Sequence, residues 1–399
     1  MPTRKVLHLL AALVVSVPVF LGMTSLSATP ATAQPPSRLP LTITNDSGRS
    51  DQVFLYVLGV DLASGKLGHV DEAGAFTAWP AGGSPPTPAP DVSIAGPGNG
   101  TSKTIQVPRG LSGRMYMSFG QKLTFLLSPD GLVQPAPWAA GDPNRDVLFD
   151  WSEFTYNDAG LWLNSSQVDM FSVPHAVSVT GEGGTKTAGQ LKADGRAAIF
   201  QAIEGEPGGW GKLVHQRADG TRLRVLAPRL AIESSGFDAA YLDGYLTDTW
   251  NTYRTTDLTV VPFQFQPNLK YTGRTDANGV LRFTDATGKH VASFPQPATK
   301  DVFGCDGKLA APNDDVVGPI ARTLCAALHR STMGFLHTQP TYQASEFYTR
   351  PVTDHYSRHI HANMVDGKAY GFAFDDVGAF ESLVFDGAPS AARITLTSF

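Results

Sequence analysis

Two carboxylates sixteen residues apart, Glu153 and Asp169, are the side chains in this sequence best suited to chemistry. A pair of carboxyl groups can divide proton transfer, with one acting as general acid and the other as general base. Spacing alone is weak evidence, because acidic residues on strands are most often simply solvated. The aromatic and amide residues around the pair, including Trp151 and Trp162, strengthen the interpretation.

The segment between the two carboxylates contains a strong turn sequence, Asn-Asp-Ala-Gly at residues 157–160. We predict a β-hairpin in which Glu153 lies opposite Asn164 and Thr155 lies opposite Trp162. Because side chains alternate along a strand, one face then holds Trp151, Glu153, Thr155, Asn157, Trp162 and Asn164. Aromatic rings beside hydrogen-bonding groups suit a pyranose ring, which has an apolar C–H face and a polar rim.

A second turn at residues 164–167 would bring a third strand alongside the hairpin, and that strand would carry Asp169. Glu153 and Asp169 would then be two strands apart, or about 9.5 Å between backbones. A carboxyl separation of roughly 6.5–9.5 Å leaves room for a water molecule and is typical of inverting glycosidases. The spacing therefore favours inversion, provided that this assumed register is correct.

The wider sequence predicts a mostly β protein, with a sandwich or barrel built from both ends of the chain. The continuous apolar run at residues 53–60 predicts a strand buried on both faces. We assign residues 35–180 and 330–399 to this β domain, and residues 181–329 to an inserted α/β subdomain. Helices are expected at 190–204, 239–253 and 315–329, and late strands at 368–374 and 392–396. A wide groove between the two lobes would hold a ligand.

The first 34 residues indicate export. Arg4 and Lys5 precede an apolar run, which ends in small residues with the Ala-x-Ala spacing of a signal-peptidase site at residues 31–33. An uncleaved membrane anchor is the alternative. The formal net charge of −5 argues against nucleic acid as a partner, and a neutral polymer fits better. We expect a secreted protein with no membrane attachment after cleavage.

The two cysteines, Cys305 and Cys325, are expected to form a structural disulfide, as a lone pair in an exported chain usually does. A metal site is the main alternative chemistry, suggested by His355 and by His359 and His361, which would share a face on a strand. Because no HExxH pattern is present, we expect no metal and no cofactor. A serine-hydrolase elbow is also missing from the sequence.

Several blocks of the sequence resemble glycoside hydrolase family 64, whose members are laminaripentaose-producing β-1,3-glucanases related in fold to thaumatin-like proteins. The central resemblance lies in Asp-Trp-Ser-Glu-Phe-Thr at 150–155, Leu-Trp-Leu-Asn at 161–164 and Gln-Val-Asp-Met-Phe at 167–171. The segments 303–325 and 366–377 are similar to the same family, so the likeness covers essentially the whole chain after the signal. Ala373 and Phe374 depart slightly from the family's pattern.

The resemblance implies a thaumatin-like β-barrel or sandwich lobe, a mixed α/β lobe and a wide groove between them. It implies inverting endo-hydrolysis of β-1,3-glucan, such as laminarin, curdlan or the fungal cell-wall polymer, with laminaripentaose as product. Glu153 matches the family's general acid and Asp169 its general base. Family sugar contacts match Thr155, Asn157 and Trp162. A monomer is expected.

The alternative function is that of a non-catalytic thaumatin-like protein that binds β-glucan. Fold resemblance alone does not separate an enzyme from such a binder. The intact carboxylate pair favours the enzyme, because a binding protein has no need to keep both groups.

Overall fold

The computed structural model of the chain describes residues 34–399, so the predicted signal segment lies almost entirely outside the described residues. Within that range no helix combines the length and the apolar character needed to cross a bilayer.

The first half of the described chain is built almost entirely from strands. In chain order they are β1 (Arg38–Asn45), β2 (Val53–Asp61), β3 (Leu67–Val70), β4 (Phe76–Ala78), β5 (Thr87–Pro88), β6 (Ile94–Ala95), β7 (Thr101–Pro108), β8 (Leu111–Phe119), β9 (Leu126–Ser128), β10 (Gly131–Val133), β11 (Leu148–Asn157), β12 (Gly160–Ser165), β13 (Met170–Phe171), β14 (His175–Gly181) and β15 (Gly184–Ala188).

The second half mixes helices with short strands before two final strands. The helices are α1 (Gly195–Gly205), α2 (Pro228–Ser234), α3 (Asp243–Thr252), α4 (Thr299–Gly304), α5 (Val317–His329) and α6 (His355–Asn363). The strands are β16 (Val214–Gln216), β17 (Arg222–Leu226), β18 (Leu258–Val260), β19 (Tyr271–Thr275), β20 (Val280–Thr284), β21 (His290–Pro295), β22 (Thr338–Gln339), β23 (Leu383–Asp386) and β24 (Ala391–Leu396).

Two sheets share one apolar core and form a β-sandwich. One sheet has the order β15-β14-β24-β1-β7, and the other has the order β23-β12-β11-β8-β2-β3-β4 with β6 beside β2. Strand β24 at the chain's end lies parallel to β1 at its beginning. The prediction of a mostly β protein is confirmed. Because both sheets run from edge to edge without closing, the barrel alternative is wrong. The relation to thaumatin-like proteins stays a prediction.

Strand β2 separates the two main cores of the molecule. Val53, Leu55 and Val57 point into the sandwich core. Phe54 and Tyr56 point the other way, into a second core shared with the helices. The expectation that this apolar run is buried on both faces is therefore confirmed, and the physical reason is that a layer packs on each side.

The second core joins the helices to two further sheets, ordered β13-β17-β16 and β21-β20-β19-β18-β22. The three predicted helices exist as α1, α3 and α5, and each begins later than its predicted start. Helix α6 packs against α1, while β15 lies in the sandwich. The boundaries drawn at residues 180 and 330 stay a prediction.

The segment 368–374, predicted as a strand, is instead a loop followed by turns, and only Tyr370 makes an isolated bridge. Its backbone is organised by the buried side chain of Asp375, which accepts hydrogen bonds from the Gly371 amide and from Arg330. These bonds close a turn where a strand would need extended backbone. The prediction of a second late strand is confirmed as β24.

The segment 359–361, interpreted as a strand, lies within α6. The helix begins where the carboxylate of Asp354 accepts a hydrogen bond from the amide of Ser357, which is a standard N-cap. Histidines two residues apart therefore do not share a face here.

Cys305 and Cys325 form the predicted disulfide, with their Cα atoms 5.7 Å apart. The bond connects the residue that follows α4 to the middle of α5. Both sulfur atoms are consumed in the bond, and the prediction of a structural disulfide is confirmed.

Candidate active site

Strands β11 and β12 form the predicted hairpin, and the register matches pair for pair. Glu153 lies opposite Asn164, and Thr155 lies opposite Trp162. The turn closes where the side-chain oxygen of Asn157 accepts a hydrogen bond from the backbone amide two residues later. Local turn chemistry and side-chain alternation are therefore enough to build this part of the site.

Arg114 on β8 contacts both candidate catalytic carboxylates. It lies opposite Glu153 in the neighbouring strand, and its Nε and Nη2 donate to Glu153 Oε1 at 3.1 and 3.0 Å. The same Nη2 is 3.5 Å from Asp169 Oδ2. Its guanidinium carbon lies 4.6 Å from the ring centroid of Trp151, a cation–π distance. One planar cation thus joins the two acids and is itself held by the indole beneath it.

The shared contact limits how far apart the two acids are. Arg114 Nη2 lies 3.0 Å from Glu153 Oε1 and 3.5 Å from Asp169 Oδ2, so these two oxygen atoms are at most 6.5 Å apart. Inverting enzymes have carboxyl groups roughly 6.5–9.5 Å apart, and retaining enzymes about 5–5.5 Å. This upper limit for the two nearest oxygen atoms allows either separation, so inversion stays a prediction.

The predicted third strand carrying Asp169 does not exist beside β12. The free edge of β12 is taken by β23 from the end of the chain, which pairs Asn164 with Leu383. Beyond β12 the backbone amide of Gln167 donates to Tyr370, whose amide donates back to the Gln167 side-chain oxygen. These bonds lead the chain out of the sheet, so the assumed route to Asp169 is wrong although the two carboxylates do meet.

Other contacts fix the segment around Asp169 from the second core. The buried hydroxyl of Tyr356, on α6, donates to the carbonyl of Gln167 at 2.5 Å. The carbonyl of Asp169 accepts from the amide of Ala227 at 2.9 Å. The carboxylate is thus positioned by bonds from residues distant in sequence rather than by a regular strand.

The two carboxylates differ in solvent exposure. Glu153 is 6% exposed, whereas the Asp169 side chain is 29% exposed. Burial raises the pKa of Glu153 above its ordinary value, the charge of Asp169 raises it further, and Arg114 opposes both effects. This asymmetry suits a proton donor beside a partner that is more accessible to water.

The residues predicted to contact sugar form a strip beside Glu153. The Thr155 hydroxyl is 2.8 Å from that of Ser112. Trp162 is partly exposed, and its ring lies 4.5 Å from that of Phe385 at an angle of 34°. Phe385 is 39% exposed, so the two rings form a continuous apolar surface. Asn157 is also partly exposed, at the end of the strip.

Thr155 is itself only 5% exposed, and two further residues on this face are buried as well. Trp151 is only 2% exposed, so it supports Arg114 and offers no surface to a ligand. The side-chain oxygen of Asn164 is buried without a hydrogen-bond partner, next to Glu153. Buried acceptors nearly always have a hydrogen-bond partner, so this oxygen is suited to accept a hydrogen bond from a hydroxyl group of a ligand.

Sequence reasoning did not identify Arg114 or Phe385. A signal for Arg114 was present, because it is a lone charge inside the strand-forming run 111–119. Phe385 had none, because its position beside Trp162 depends on the pairing of β12 with a strand more than two hundred residues later.

The family model for beta-1,3-glucanases of glycoside hydrolase family 64 matches residues 37–396. The chain therefore belongs to this family of glycoside hydrolases. It is 49% identical over 375 residues to a glucan endo-1,3-beta-glucosidase from Cellulosimicrobium cellulans, covering 93% of this chain and 67% of that relative.

Solved structures agree with this assignment. A laminaripentaose-producing beta-1,3-glucanase in complex with laminaritetraose superposes with a TM-score of 0.88 at 52% identity, over 91% of this chain and 99% of that one. A beta-1,3-glucanase domain from Clostridium beijerinckii superposes with a TM-score of 0.73 at 24% identity, over 91% and 98% of the two chains, and shows a shared fold.

Proposed function

We propose that this protein is a secreted endo-hydrolase of β-1,3-glucan that acts with inversion and releases laminaripentaose. The observation that carries the catalytic part is the pair Glu153 and Asp169, joined by Arg114 and unequal in burial. The substrate class comes from the relatives, one of which is described as producing laminaripentaose and as binding laminaritetraose.

Glu153 acts as the general acid. Its raised pKa keeps a proton on the carboxyl group at a higher pH than an ordinary glutamic acid would allow. The proton passes to the glycosidic oxygen as the C–O bond breaks, so the leaving sugar departs as a neutral alcohol. The opposing effect of Arg114 keeps the pKa from rising so far that the proton is no longer released.

Asp169 acts as the general base. Its exposed position allows water to reach it, and its carboxylate takes a proton from the water that attacks the anomeric carbon from the opposite face. The sugar must lie between the two acids, so we expect substrate to displace the Arg114–Asp169 contact, which at 3.5 Å is the longer of the two.

The strip of Thr155, Asn157 and Trp162 binds the sugar units next to the scissile bond. The Trp162 ring packs on the apolar face of a pyranose, and the Thr155 and Asn157 side chains hydrogen-bond to hydroxyl groups at its rim. Neutral polar groups and aromatic rings suit an uncharged polymer.

The experiment compares three matched carboxyl-to-amide variants on linear β-1,3-glucan. Glu153→Gln and Asp169→Asn should each lower kcat by at least about a hundredfold, which is typical for loss of a general acid or base. Asp158→Asn, an 83% exposed acid on the turn of the same hairpin, should keep normal activity.

Two readouts complete this test. NMR during the first turnovers should show the α-anomer as the first product, because inversion of a β-linkage gives α. Hydrolysis that persists in Glu153→Gln would contradict the assignment, and glucan binding without new reducing ends in the unmodified protein would indicate the non-catalytic binder. N-terminal sequencing of the exported protein should place its first residue close to residue 35.

A further inference from the structure

Away from the candidate active site, three metal-ligating side chains meet where α1 and α6 pack together. Glu206 directly follows α1, and its Oε1 lies 3.3 Å from His355 Nδ1 and 2.8 Å from His359 Nε2. One ligand atom from each residue lies within 4.8 Å of the others. The second such group in the described chain, Cys305, Cys325 and His329, has both sulfurs in a disulfide and so cannot offer thiolates.

The helical conformation of α6 creates this arrangement. Residues four apart on a helix lie on the same face, and the rings of His355 and His359 are 6.2 Å apart with 24° between their planes. His361 points elsewhere and binds Asp375 at 2.9 Å. On this helix the two histidines that share a face are His355 and His359, and not His359 and His361 as expected for a strand.

The hydrogen-bond partners of the two imidazoles show which ring nitrogen faces Glu206. His359 Nε2 donates to Glu206 Oε1 at 2.8 Å, so an incoming ion must take the place of that proton. His355 Nε2 lies 3.2 Å from the carbonyl of Pro351, a contact that fixes the proton on Nε2 and turns the lone pair of Nδ1 toward Glu206. A backbone carbonyl behind a histidine is the usual outer partner of a metal ligand.

Two of the three distances between the ligand atoms are close to those around tetrahedral zinc, and the third is below 4.8 Å. With metal–ligand bonds of about 2.0–2.1 Å, neighbouring ligand atoms are about 3.3 Å apart. The Glu206–His355 distance of 3.3 Å already matches, and the Glu206–His359 distance of 2.8 Å needs a small increase. The side chains of Glu206 and His359 are 17% and 14% exposed, so water can supply the fourth ligand.

A cationic side chain already occupies part of this position. Arg358 Nη1 lies 3.6 Å from Glu206 Oε1 and 3.2 Å from His355 Nδ1. The Arg358 side chain is 44% exposed, so it can move into solvent at little cost. The Arg358 guanidinium therefore supplies the positive charge beside Glu206, and an incoming metal ion must displace it.

We propose that Glu206, His355 and His359 form a binding site for one divalent cation of the zinc class. Two imidazoles and one carboxylate are a ligand set that Zn²⁺ accepts readily, whereas Mg²⁺ and Ca²⁺ prefer all-oxygen sites. The ion joins α1 to α6, and Arg358 acts as its competitor within the protein. The site is independent of the proposed glucan hydrolysis.

The test is calorimetric titration of the mature protein with ZnCl₂ after dialysis against a chelator. The expected result is one ion per chain. Glu206→Gln and His359→Asn should each weaken binding by roughly tenfold or more, while Arg358→Gln should tighten it because the competitor is gone. His290→Asn, at an exposed histidine on β21, is the control and should bind Zn²⁺ as the unmodified protein does.

Two further measurements keep the result independent of folding defects. Circular dichroism checks each variant, and added Zn²⁺ should raise the melting temperature of the unmodified protein and of Arg358→Gln. Zn²⁺ binding should also weaken as pH falls and the imidazoles become protonated. The proposal is overturned if the unmodified protein shows no saturable binding, if Glu206→Gln and His359→Asn bind as tightly as it does, or if Arg358→Gln binds no more tightly.

Discussion

Glu153 and Asp169 face the same guanidinium but are held by very different parts of the molecule. Glu153 lies in the middle of β11, which has a hydrogen-bonded strand on each side. Asp169 lies in an irregular segment between two sheets, where side chains such as those of Gln167 and Tyr356 provide the bonds. Glu153 is therefore fixed by regular backbone pairing, and Asp169 by a set of individual contacts.

This contrast explains how neighbouring carboxyl groups can have different roles. A sheet interior excludes water and raises the pKa of the group it holds, as seen for Glu153. An irregular segment at the edge of two cores leaves the Asp169 carboxylate accessible to water, as the proposed base requires. Each proposed role thus matches the kind of backbone that carries the residue, and the predictions below test the two supports separately.

Removal of the shared cation should have the largest effect. Arg114→Ala leaves two carboxylates facing each other, and we expect kcat to fall by about a hundredfold, the loss typical of a misplacement of about 1 Å. Because Arg114 lowers the pKa of Glu153, its loss should raise that pKa. The acid must be protonated to act, so the alkaline limb of kcat/KM should move to higher pH.

The pH profile separates a catalytic effect from a merely structural one. Arg282→Ala, which removes an arginine paired with Asp276 at the surface, should leave both rate and profile unchanged. An alkaline limb that stays in place in Arg114→Ala would contradict the electrostatic role given to the guanidinium.

Loss of one support of the Asp169 segment should have a smaller effect. Tyr356→Phe removes the bond to the Gln167 carbonyl, and we expect kcat to fall by about tenfold, less than a full 1 Å displacement causes. Tyr156→Phe is the matched control, since its buried hydroxyl also donates to a backbone carbonyl, that of Pro36 at 2.5 Å.

Tyr356→Phe leaves the buried Gln167 carbonyl without its donor and should lose about 1–3 kcal/mol of unfolding free energy. Tyr156→Phe should lose less, because Pro36 is exposed and water can replace the hydroxyl at its carbonyl. Only Tyr356→Phe should lose activity in addition, measured at a temperature where both proteins are folded. Equal kcat values for the two variants would show that the Asp169 segment needs no support from α6.

Truncation at the aromatic strip should have the smallest effect. Phe385→Ala removes one of the two rings that form the apolar surface with Trp162. We expect KM to rise about two- to tenfold, which corresponds to about 0.5–1.5 kcal/mol for the contact of one ring with the sugar. The value of kcat should change little. Phe265→Ala, at an 86% exposed ring, is the control and should leave KM unchanged.

The features that could be predicted from the sequence depend on local interactions. The hairpin of β11 and β12 follows from a four-residue turn and from side-chain alternation, so Glu153, Thr155 and Trp162 were correctly placed relative to one another. The double burial of β2 follows in the same way from an unbroken apolar run.

The features that could not be predicted depend on distant parts of the chain. The edge of β12 was predicted to pair with the next segment of the chain, but it pairs with β23, more than two hundred residues later, so Asp169 lies outside this sheet. The helix at 359–361 is a local feature that was missed, because the segment has few apolar residues to reveal its periodicity and its cap at Asp354 was the available signal. Arg114 meets Asp169 because bonds from Tyr356 and Ala227, both distant in sequence, hold the Asp169 segment beside β8.

The most direct test of the two roles compares a natural linkage with one that needs no protonation. In a laminari-oligosaccharide that carries a dinitrophenyl group, this leaving group departs without being protonated. Glu153→Gln should therefore regain most of its lost activity on that substrate. Asp169→Asn should stay inactive on both substrates, because attack by water still needs the base. Equal losses on both substrates for Glu153→Gln, or recovery in Asp169→Asn, would contradict the assignment of Glu153 as acid and Asp169 as base.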